Sequence, residues 1–194
     1  MVLGSTQDRA AVAADSGGIP VVRRRSGGGA VLVSPDDPVW IDAWVPVGDP
    51  LWSTDITRAF GWLGDVWASA LEGLGLAGVR VQGPGPGACT RWSTLVCFGG
   101  VGAGEVTVDG RKAVGLAQRR TRHGAWFHGA CILRWDPAPL LGALALAGDE
   151  AAAATAGLAT AVTGVVDAGA AQGVGHVTTA DDVAGAFLGS LPQD

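Results

Sequence analysis

The order of two kinds of segment constrains the fold of this chain most. Apolar runs of strand length, separated by glycine- and proline-rich loops, fill most of the first 136 residues, whereas helical patterns fill residues 137–194. Strands that are followed by helices are typical of an α+β protein, in which the helices pack on a sheet. A chain of 194 residues has the length of one domain and can bury a core. We therefore predict a single α+β domain over 1–194, with a mixed β-sheet.

Two patterns locate strands. Residues 39–47, VWIDAWVPV, alternate in polarity, and Asp109 followed by Gly110 predicts a tight turn between two further strands. Apolar runs at 19–22 and 30–33 flank the segment RRRSGGG and are predicted to form a hairpin or meander around it. The side chains predicted to share one face of the first strand are Val39, Ile41, Ala43 and Val45.

Helices are predicted in one early and several late segments. The early helix runs from a cap at Ser53 or Thr54 to about Leu74. The late helices are predicted over 137–147, from about residue 149, and after Thr179, where Asp182 completes a loose capping box. The stripe predicted to face the core from the early helix consists of Ile56, Phe60, Leu63, Trp67 and Leu71.

Composition and charge limit where the protein can be located and which classes of partner it can bind. The net charge of −5 disfavours nucleic-acid binding. The start of the chain has no signal-peptide pattern, and the longest uncharged stretch, 151–166, is too short and too weakly apolar to span a bilayer. The three cysteines have the spacing of neither a disulfide framework nor a zinc site. We expect a cytoplasmic protein without a metal site, a membrane partner or a nucleic-acid partner.

The segment RRRSGGGAV, residues 23–31, is the first candidate site. Three consecutive glycines expose backbone N–H groups, and the flanking arginines and Ser26 favour a cradle for phosphate or carboxylate. The alternative is a hairpin loop with solvated arginines. No Gly-Lys-Ser/Thr follows, so the segment is not a P-loop. Residues 99–104, GGVGAG, are not a dinucleotide-binding fingerprint, because Glu105 stands in place of the third glycine and a strand-like run follows.

Three further residues are candidates for chemistry. Lys112 is the only lysine in the chain, against twelve arginines, and its compact ammonium group can neutralise a phosphate or polarise an acyl carbonyl. Cys97 can act as a nucleophile if a cation such as Lys112 stabilises its thiolate. Each has a structural alternative: Lys112 as an exposed hairpin lysine, Cys97 as a small buried side chain, and His128 as a structural histidine.

Together these segments resemble the lipoate–protein ligase / octanoyltransferase family, relatives of the biotin protein ligase catalytic domain. The family pattern RR-x-SGG(G)-AV is matched at 23–31, and G-(R/K)-K-x-x-G-x-A-Q-x-R is matched at 110–120. The family's HG is matched at 128–129, and its LG-x-x-Q at 3–7. The four motifs occur in the family's order within residues 3–136, ahead of the helical part at 137–194.

The resemblance implies a class II synthetase-like fold, with a mixed sheet, helices on its faces and a pocket for an acyl-adenylate. Lys112 would be the catalytic residue that contacts the phosphate and the acyl carbonyl. The residues that would bind the substrate or the adenylate are Arg24, Ser26, Gly27, Gly28, Gly29, Ala30, Gly115, His128 and Gly129.

The resemblance also implies three possible activities. The leading prediction is a ligase that converts lipoate or a related acid, with ATP and Mg²⁺, into an acyl-AMP and passes the acyl group to a lysine of a lipoyl-domain protein, either the H protein or a 2-oxoacid dehydrogenase acyltransferase subunit. The alternative is a transferase that takes octanoate or lipoate from acyl carrier protein through a thioester on Cys97. One branch of the family places this cysteine in a CF pair fifteen residues before the lysine, as Cys97-Phe98 and Lys112 do. The third possibility is a non-catalytic acyl- or nucleotide-binding module.

The chain departs from the family pattern in two places. Val33 and Ser34 stand where many members have His-Asp, which removes a histidine that the pocket often uses. The family also has a helix and a strand ahead of LG-x-x-Q, and we predict that this chain lacks them. A sheet edge would then be unpaired, which favours a homodimer.

Overall fold

The computed structural model of the protein describes residues 1–175 and 179–192. Within these residues the chain forms nine strands and five α-helices. The strands are β1 (Val2–Leu3), β2 (Val22–Arg23), β3 (Val39–Pro46), β4 (Val79–Val81), β5 (Ala88–Cys89), β6 (Gly100–Val101), β7 (Val106–Val108), β8 (Arg111–Thr121) and β9 (Gly124–Cys131). The helices are α1 (Gly61–Gly73), α2 (Ala138–Gly142), α3 (Gly148–Ala161), α4 (Val165–Ala171) and α5 (Ala180–Gly189). The predicted helical part at 137–194 includes residues 176–178 and 193–194, which lie outside the described residues.

A five-stranded antiparallel sheet in the order β3-β9-β8-β7-β4 is the centre of the fold. The predicted Asp-Gly turn is confirmed: Asp109 has φ 49° and Gly110 has φ 77°, and the pair joins β7 to β8. Parallel pairing occurs outside this sheet, between β1 and β2. The predicted α+β fold is confirmed, but the five-stranded sheet is antiparallel and not mixed.

The two faces of the sheet pack against different elements. On one face, α1 and α5 cover the predicted core side of β3, and the ring of Trp67 lies 4.5 Å from the ring of Phe187. On the other face, the N-terminal residues, α2 and α3 form a second core around Phe98. The far end of that second face is open, because Trp44 and Trp126 are exposed there, with their tilted rings 5.1 Å apart. None of the described helices is long and apolar enough to cross a membrane.

The predicted hairpin of runs 19–22 and 30–33 is wrong. Val2 lies between the two runs, since it pairs in parallel with Val22 and forms an antiparallel bridge with Val31. The N-terminal residues thus take the place that direct pairing would occupy. Gly4 permits this close approach, because a Cβ atom at this position would lie 1.8 Å from the carbonyl oxygen of Gly28.

The predicted start of the early helix is also wrong. The carboxylate of Asp55 accepts hydrogen bonds from the backbone N–H groups of Thr57 and Arg58, which holds a turn here, and only a short 3-10 helix (Arg58–Phe60) precedes the start of α1 at Gly61. Ile56 is therefore off the core stripe and is 61% exposed. In the C-terminal part, the capping box of Thr179 and Asp182 is confirmed. Helix α4 lies within the predicted helical part at 137–194, although the sequence pattern does not mark it as a separate helix.

Candidate functional site

The largest concentration of predicted site residues surrounds a cavity of about 420 Å³ between the glycine loop and β8. The wall combines backbone of glycine-rich segments with apolar side chains, a cysteine and one buried ion pair. A pocket of this size and character is suited to a small acyl compound. It is lined by Gly27, Gly28, Gly29, Ile56, Phe60, Gly87, Ala88, Cys89, Ser93, Cys97, Gly100, Val101, Gly102, Glu105, Lys112, Leu116, Ala117 and Gln118.

A β-bulge directs Lys112 into this cavity. On β7, Thr107 pairs with Lys112, but the neighbouring Val106 pairs with Val114, so β8 carries one extra residue, Ala113. Such an extra residue changes the alternation of side chains along a strand. The Lys112 side chain consequently shares a face with Gly115, where a Cβ atom would lie 3.4 Å from Lys112 Cε.

The ammonium group of Lys112 is fully engaged by the protein. Its Nζ donates hydrogen bonds to the carbonyl oxygens of Cys97 (2.8 Å) and Gly100 (2.9 Å) and lies 2.6 Å from Glu105 Oε2. An ammonium group has three N–H donors, so all three are used. The side chain is only 1% exposed, and the interpretation of Lys112 as an exposed hairpin lysine is wrong. A substrate oxygen can bond to Nζ only by displacing one of these acceptors.

Glu105 is the site residue that sequence reasoning missed. Its Oε1 accepts a hydrogen bond from the backbone N–H of Leu116, which lies beyond the end of the β7–β8 pairing. Its Oε2 accepts one from the N–H of Gly102, at 2.6 Å. Glu105 is 6% exposed, so Lys112 and these two N–H groups together compensate a buried charge. The signal in the sequence was an acidic residue just before a strand that pairs with the strand of Lys112.

The arginine–glycine loop presents backbone to the cavity. The guanidinium of Arg24 donates to the carbonyl oxygens of Gly27 (2.6 Å) and Gly29 (3.0 Å), so it stabilises the loop. Gly28 has φ 98°, which favours glycine there. In the described part of the chain, the N–H groups of Gly27, Gly28 and Gly29 have no protein acceptor. Because these three glycines line the cavity, their N–H groups are candidates to bond an oxygen of a bound substrate.

Cys97 stands at the junction of the loop and the lysine. Its N–H donates to the carbonyl oxygen of Ala30, and its own carbonyl accepts from Lys112. A Cβ atom on Gly28 would lie 3.8 Å from Cys97 Sγ, so the thiol faces the glycine loop. Of the other two cysteines, Cys89 is exposed at the cavity mouth, whereas burial raises the pKa of the Cys131 thiol far above its ordinary value.

His128 lines a second, narrow cavity that lies beside the first. Cys97, Leu116 and Ala117 line both cavities. The ring nitrogen Nδ1 of His128 lies 2.5 Å from Asp42 Oδ1. The narrow cavity is lined by Arg24, Val31, Trp40, Cys97, Phe98, Gly115, Leu116, Ala117, His128 and Ala130.

The remaining predicted residues, Ser26, Ala30 and Gly129, line neither cavity. The backbone carbonyl of Ala30 accepts a hydrogen bond from the N–H of Cys97. Ser26 is buried, and its hydroxyl has no hydrogen-bond partner in the described structure. Gly129 faces α1 instead, since a Cβ atom there would lie 2.7 Å from Trp67 Nε1. Val33, at the family's histidine position, lines neither cavity. The described residues include no group of three His, Cys, Asp or Glu side chains that could hold a metal ion.

Comparison with known proteins decides the family. The sequence model of the lipoyl protein ligase A/B catalytic domain matches residues 1–190. The chain belongs to this family. A search of the curated proteins finds no match.

Solved structures share the fold at low sequence identity. A bi-partite lipoate protein ligase from Thermoplasma acidophilum, studied with its E2 lipoyl domain, is 18% identical with a TM-score of 0.69, over 97% of this chain and 64% of that one. A T. acidophilum protein assigned as a lipoate protein ligase and solved with bound lipoic acid is 19% identical with a TM-score of 0.67, over 97% and 65%. Lipoate-protein ligase A bound with ATP is 18% identical with a TM-score of 0.65, over 97% and 66%. The chain thus spans slightly less than two thirds of the length of these neighbours.

Proposed function

We propose that this protein transfers a lipoyl or octanoyl group to a lysine of a lipoyl-domain protein through a thioester on Cys97. The observation that carries the proposal is the position of the Cys97 thiol, on the cavity wall between Gly28 and the carbonyl group held by Lys112. A T. acidophilum relative studied with its E2 lipoyl domain supports this class of acceptor, which includes 2-oxoacid dehydrogenase acyltransferase subunits and the H protein. The donor would be an acyl thioester such as octanoyl-acyl carrier protein.

The two transfer steps balance without a further reactant. The sulfur of Cys97 attacks the carbonyl carbon of the donor thioester, the bond to the donor sulfur breaks, and the donor leaves as a free thiol. The amine of the acceptor lysine then attacks the Cys97 thioester, an amide forms, and the Cys97 thiol is restored. Each attack places negative charge on the carbonyl oxygen. The free N–H groups of the glycine loop can stabilise that charge.

Lys112 has an indirect role in this proposal. Its donors are used by Cys97, Gly100 and Glu105, so its ammonium group fixes the backbone on both sides of Phe98. The predicted direct contact of Lys112 with a phosphate or an acyl carbonyl would require the loss of one of these bonds. Lys112 is therefore proposed as a positioning residue for Cys97.

A second candidate is the ATP-dependent ligase, with lipoate or octanoate as the acid. The unpaired N–H groups of Gly27, Gly28 and Gly29 favour it, because such a run can bind a phosphate group, and a structural neighbour is bound with ATP. The residues present do not suit Mg²⁺, since both oxygens of Glu105, the carboxylate in the cavity wall, are already bonded. We assign no step to a metal.

Intact mass spectrometry separates the two routes. The protein would be incubated with octanoyl-acyl carrier protein, and separately with lipoate or octanoate plus ATP and Mg²⁺, before a lipoyl domain is added. We expect an octanoyl adduct from the thioester donor in the wild type and in Cys89→Ser, the matched variant with the other cavity cysteine changed. We expect no adduct in Cys97→Ser, and we expect the adduct to move to the lipoyl domain.

Other results would reject the thioester route. Acylation of the lipoyl domain by Cys97→Ser, dependent on ATP, would establish the ligase instead. If neither donor modifies the protein or the lipoyl domain, while octanoate or lipoate raises the melting temperature, the protein is an acyl-binding module.

A further inference from the structure

A thiol that attacks a thioester must first lose its proton, and the two cavities offer few groups that can accept one. Lys112 is a charged donor with all its hydrogen bonds used, and Glu105 is committed to Lys112 and two N–H groups. The ionisable side chains that line the two cavities among the described residues are Arg24, Cys89, Cys97, Glu105, Lys112 and His128. Arginine stays protonated, and Cys89 is a thiol that would first have to lose its own proton, so His128 is the remaining candidate.

Asp42 determines which nitrogen of His128 is free. Asp42 Oδ1 already accepts a hydrogen bond from Trp40 Nε1 at 2.8 Å, and it lies 2.5 Å from His128 Nδ1. An ionised carboxylate can only accept hydrogen bonds, so Nδ1 must carry the ring proton. Nε2 is then the unprotonated nitrogen, the form in which a histidine acts as a base.

The position of His128 suits exchange with Cys97. His128 is on β9 opposite Ala117 of β8, and both residues line the narrow cavity together with Cys97. This cavity measures about 10 Å³, which is room for at most about one water molecule among the side chains that line it. The His128 side chain is 18% exposed, which shields the ring from bulk solvent without isolating it. The charged or titratable groups that face it are Asp42, Arg24 and Cys97.

We propose that His128 accepts the proton of the Cys97 thiol, and that Asp42 positions the His128 ring and stabilises its charged form. This inference rests on the proposed thioester route, because it assigns the base of that route. The arrangement of nucleophile, histidine and carboxylate has the same logic as a Ser-His-Asp triad.

Every proton released in the two transfer steps is taken up again within the same step. His128 Nε2 takes the Cys97 Sγ proton, the thiolate attacks the donor thioester, and the departing donor sulfur takes the proton from the imidazolium. In the second step Nε2 takes a proton from the attacking lysine amine and returns it to Cys97 Sγ as the amide forms. Asp42 remains a carboxylate throughout.

Alkylation of Cys97 by iodoacetamide tests the inference without any acyl donor. In a Cys89→Ser background, Cys97 is the accessible thiol, since Cys131 is buried, and peptide mass mapping confirms the site. We expect His128→Gln to lower the alkylation rate at pH 7 about tenfold and to move the midpoint of its pH profile upward, which corresponds to about one pH unit. Asp42→Asn should move it in the same direction by a smaller amount. The exposed turn residue His123 provides the matched control, and His123→Gln should leave the profile unchanged.

Rescue distinguishes proton transfer from packing. Added imidazole should restore the alkylation rate of His128→Ala, which a merely structural histidine would not allow, and a melting curve identifies variants that do not fold. A His128→Gln profile that overlays the wild type overturns the inference. If that profile shifts but octanoyl-acyl carrier protein leaves no adduct on Cys97, the proposed function fails while the assignment of the base stands. If Cys97 is acylated equally fast in His128→Gln, the assignment fails while the proposed function stands.

Discussion

Lys112 and Glu105 hold opposite charges in the interior of the protein. Their side chains are 1% and 8% exposed, and Nζ and Oε2 lie 2.6 Å apart. Two charges withdrawn from water are tolerated only when each compensates the other and the remaining donors and acceptors are bonded. Here the carbonyl oxygens of Cys97 and Gly100, and the N–H groups of Gly102 and Leu116, complete that set. The pair therefore couples the shape of the cavity wall to the stability of the fold.

A double-mutant cycle measures this coupling. Lys112→Met leaves the Glu105 carboxylate without its cation and should lower the free energy of unfolding by about 3–5 kcal/mol. Adding Glu105→Gln removes the uncompensated charge, so the double variant should be more stable than the sum of the single effects predicts, by at least ~1 kcal/mol. Urea unfolding gives the values. Arg58→Ala, which breaks an exposed ion pair with Asp55, should leave the urea midpoint unchanged. Strict additivity of the two buried changes would contradict the coupling.

The sequence indicated which residue types would meet at the site, but it did not indicate their partners. Lys112, Cys97 and the glycine loop stand out by rarity and by motif, and all of them line the main cavity. Glu105 and Asp42 carry no such mark. The contact of Glu105 with Lys112 depends on the bulge at Ala113. The contact of Asp42 with His128 depends on the register that places the two residues opposite each other. A one-residue change in register would reverse both side chains, and local pattern does not fix register.

Among the elements, Asp37 links the start of β3 to the chain that follows β9. Its two carboxylate oxygens accept hydrogen bonds from the backbone N–H groups of Leu133 and Arg134, both at 2.9 Å. Burial raises the pKa of Asp37 above its ordinary 3.8, and the nearby Asp167 acts in the same direction, while the two N–H bonds partly offset the rise. The folded protein therefore binds the Asp37 proton more tightly than the unfolded chain does.

The consequence is a pH dependence of definite sign. The stabilising contribution of protonated Asp37 is complete below pH 3.8 and is lost as the pH rises through the raised pKa of the folded state. Relative to Asp37→Asn, the wild type should lose stability as the pH rises from 3.8 through the raised pKa of the folded state, measured by urea unfolding. Asp55→Asn is the opposite control. The Arg58 N–H bond, followed by the bonds from Thr57, lowers the pKa of Asp55, so relative to that variant the wild type should lose stability as the pH falls.

Local signals predicted elements well where no distant segment competed for the same backbone. The Asp109-Gly110 turn and the Thr179 cap are determined by neighbouring residues, and both are confirmed. The prediction of a hairpin around the glycine loop was wrong because Val2 pairs with both apolar runs, 19–22 and 30–33. The predicted start of the early helix was wrong because the Asp55 side chain bonds to the backbone N–H groups of Thr57 and Arg58 and holds a turn there. Long-range pairing overrode local preference in the first case, and side-chain bonding did so in the second.

At the scale of the whole molecule, the C-terminal helices complete the fold even though the recognisable motifs lie within residues 3–136. The N–H of Thr163, just after α3, donates to the backbone carbonyl of Lys112, so the helical part holds the strand that carries the lysine. Helix α5 packs on α1, and α1 in turn packs on the sheet through Trp67 beside Gly129. The site is thus supported on the opposite face of the sheet by elements far away in the sequence.

Two adjacent residues of α5 test this support. Phe187 is 2% exposed and lies against Trp67, whereas Leu188, one position further, is 60% exposed. Phe187→Ala opens a cavity between α5 and α1 and should lower the free energy of unfolding by about 3–5 kcal/mol. Leu188→Ala should change it by less than about 0.5 kcal/mol. Urea unfolding of both variants gives the comparison. Equal effects of the two variants would show that α5 does not anchor the core. We also expect the buried Cys131 to be alkylated faster in Phe187→Ala. Together with the expected difference in stability, that result would show that loosening this helix opens the sheet behind the site.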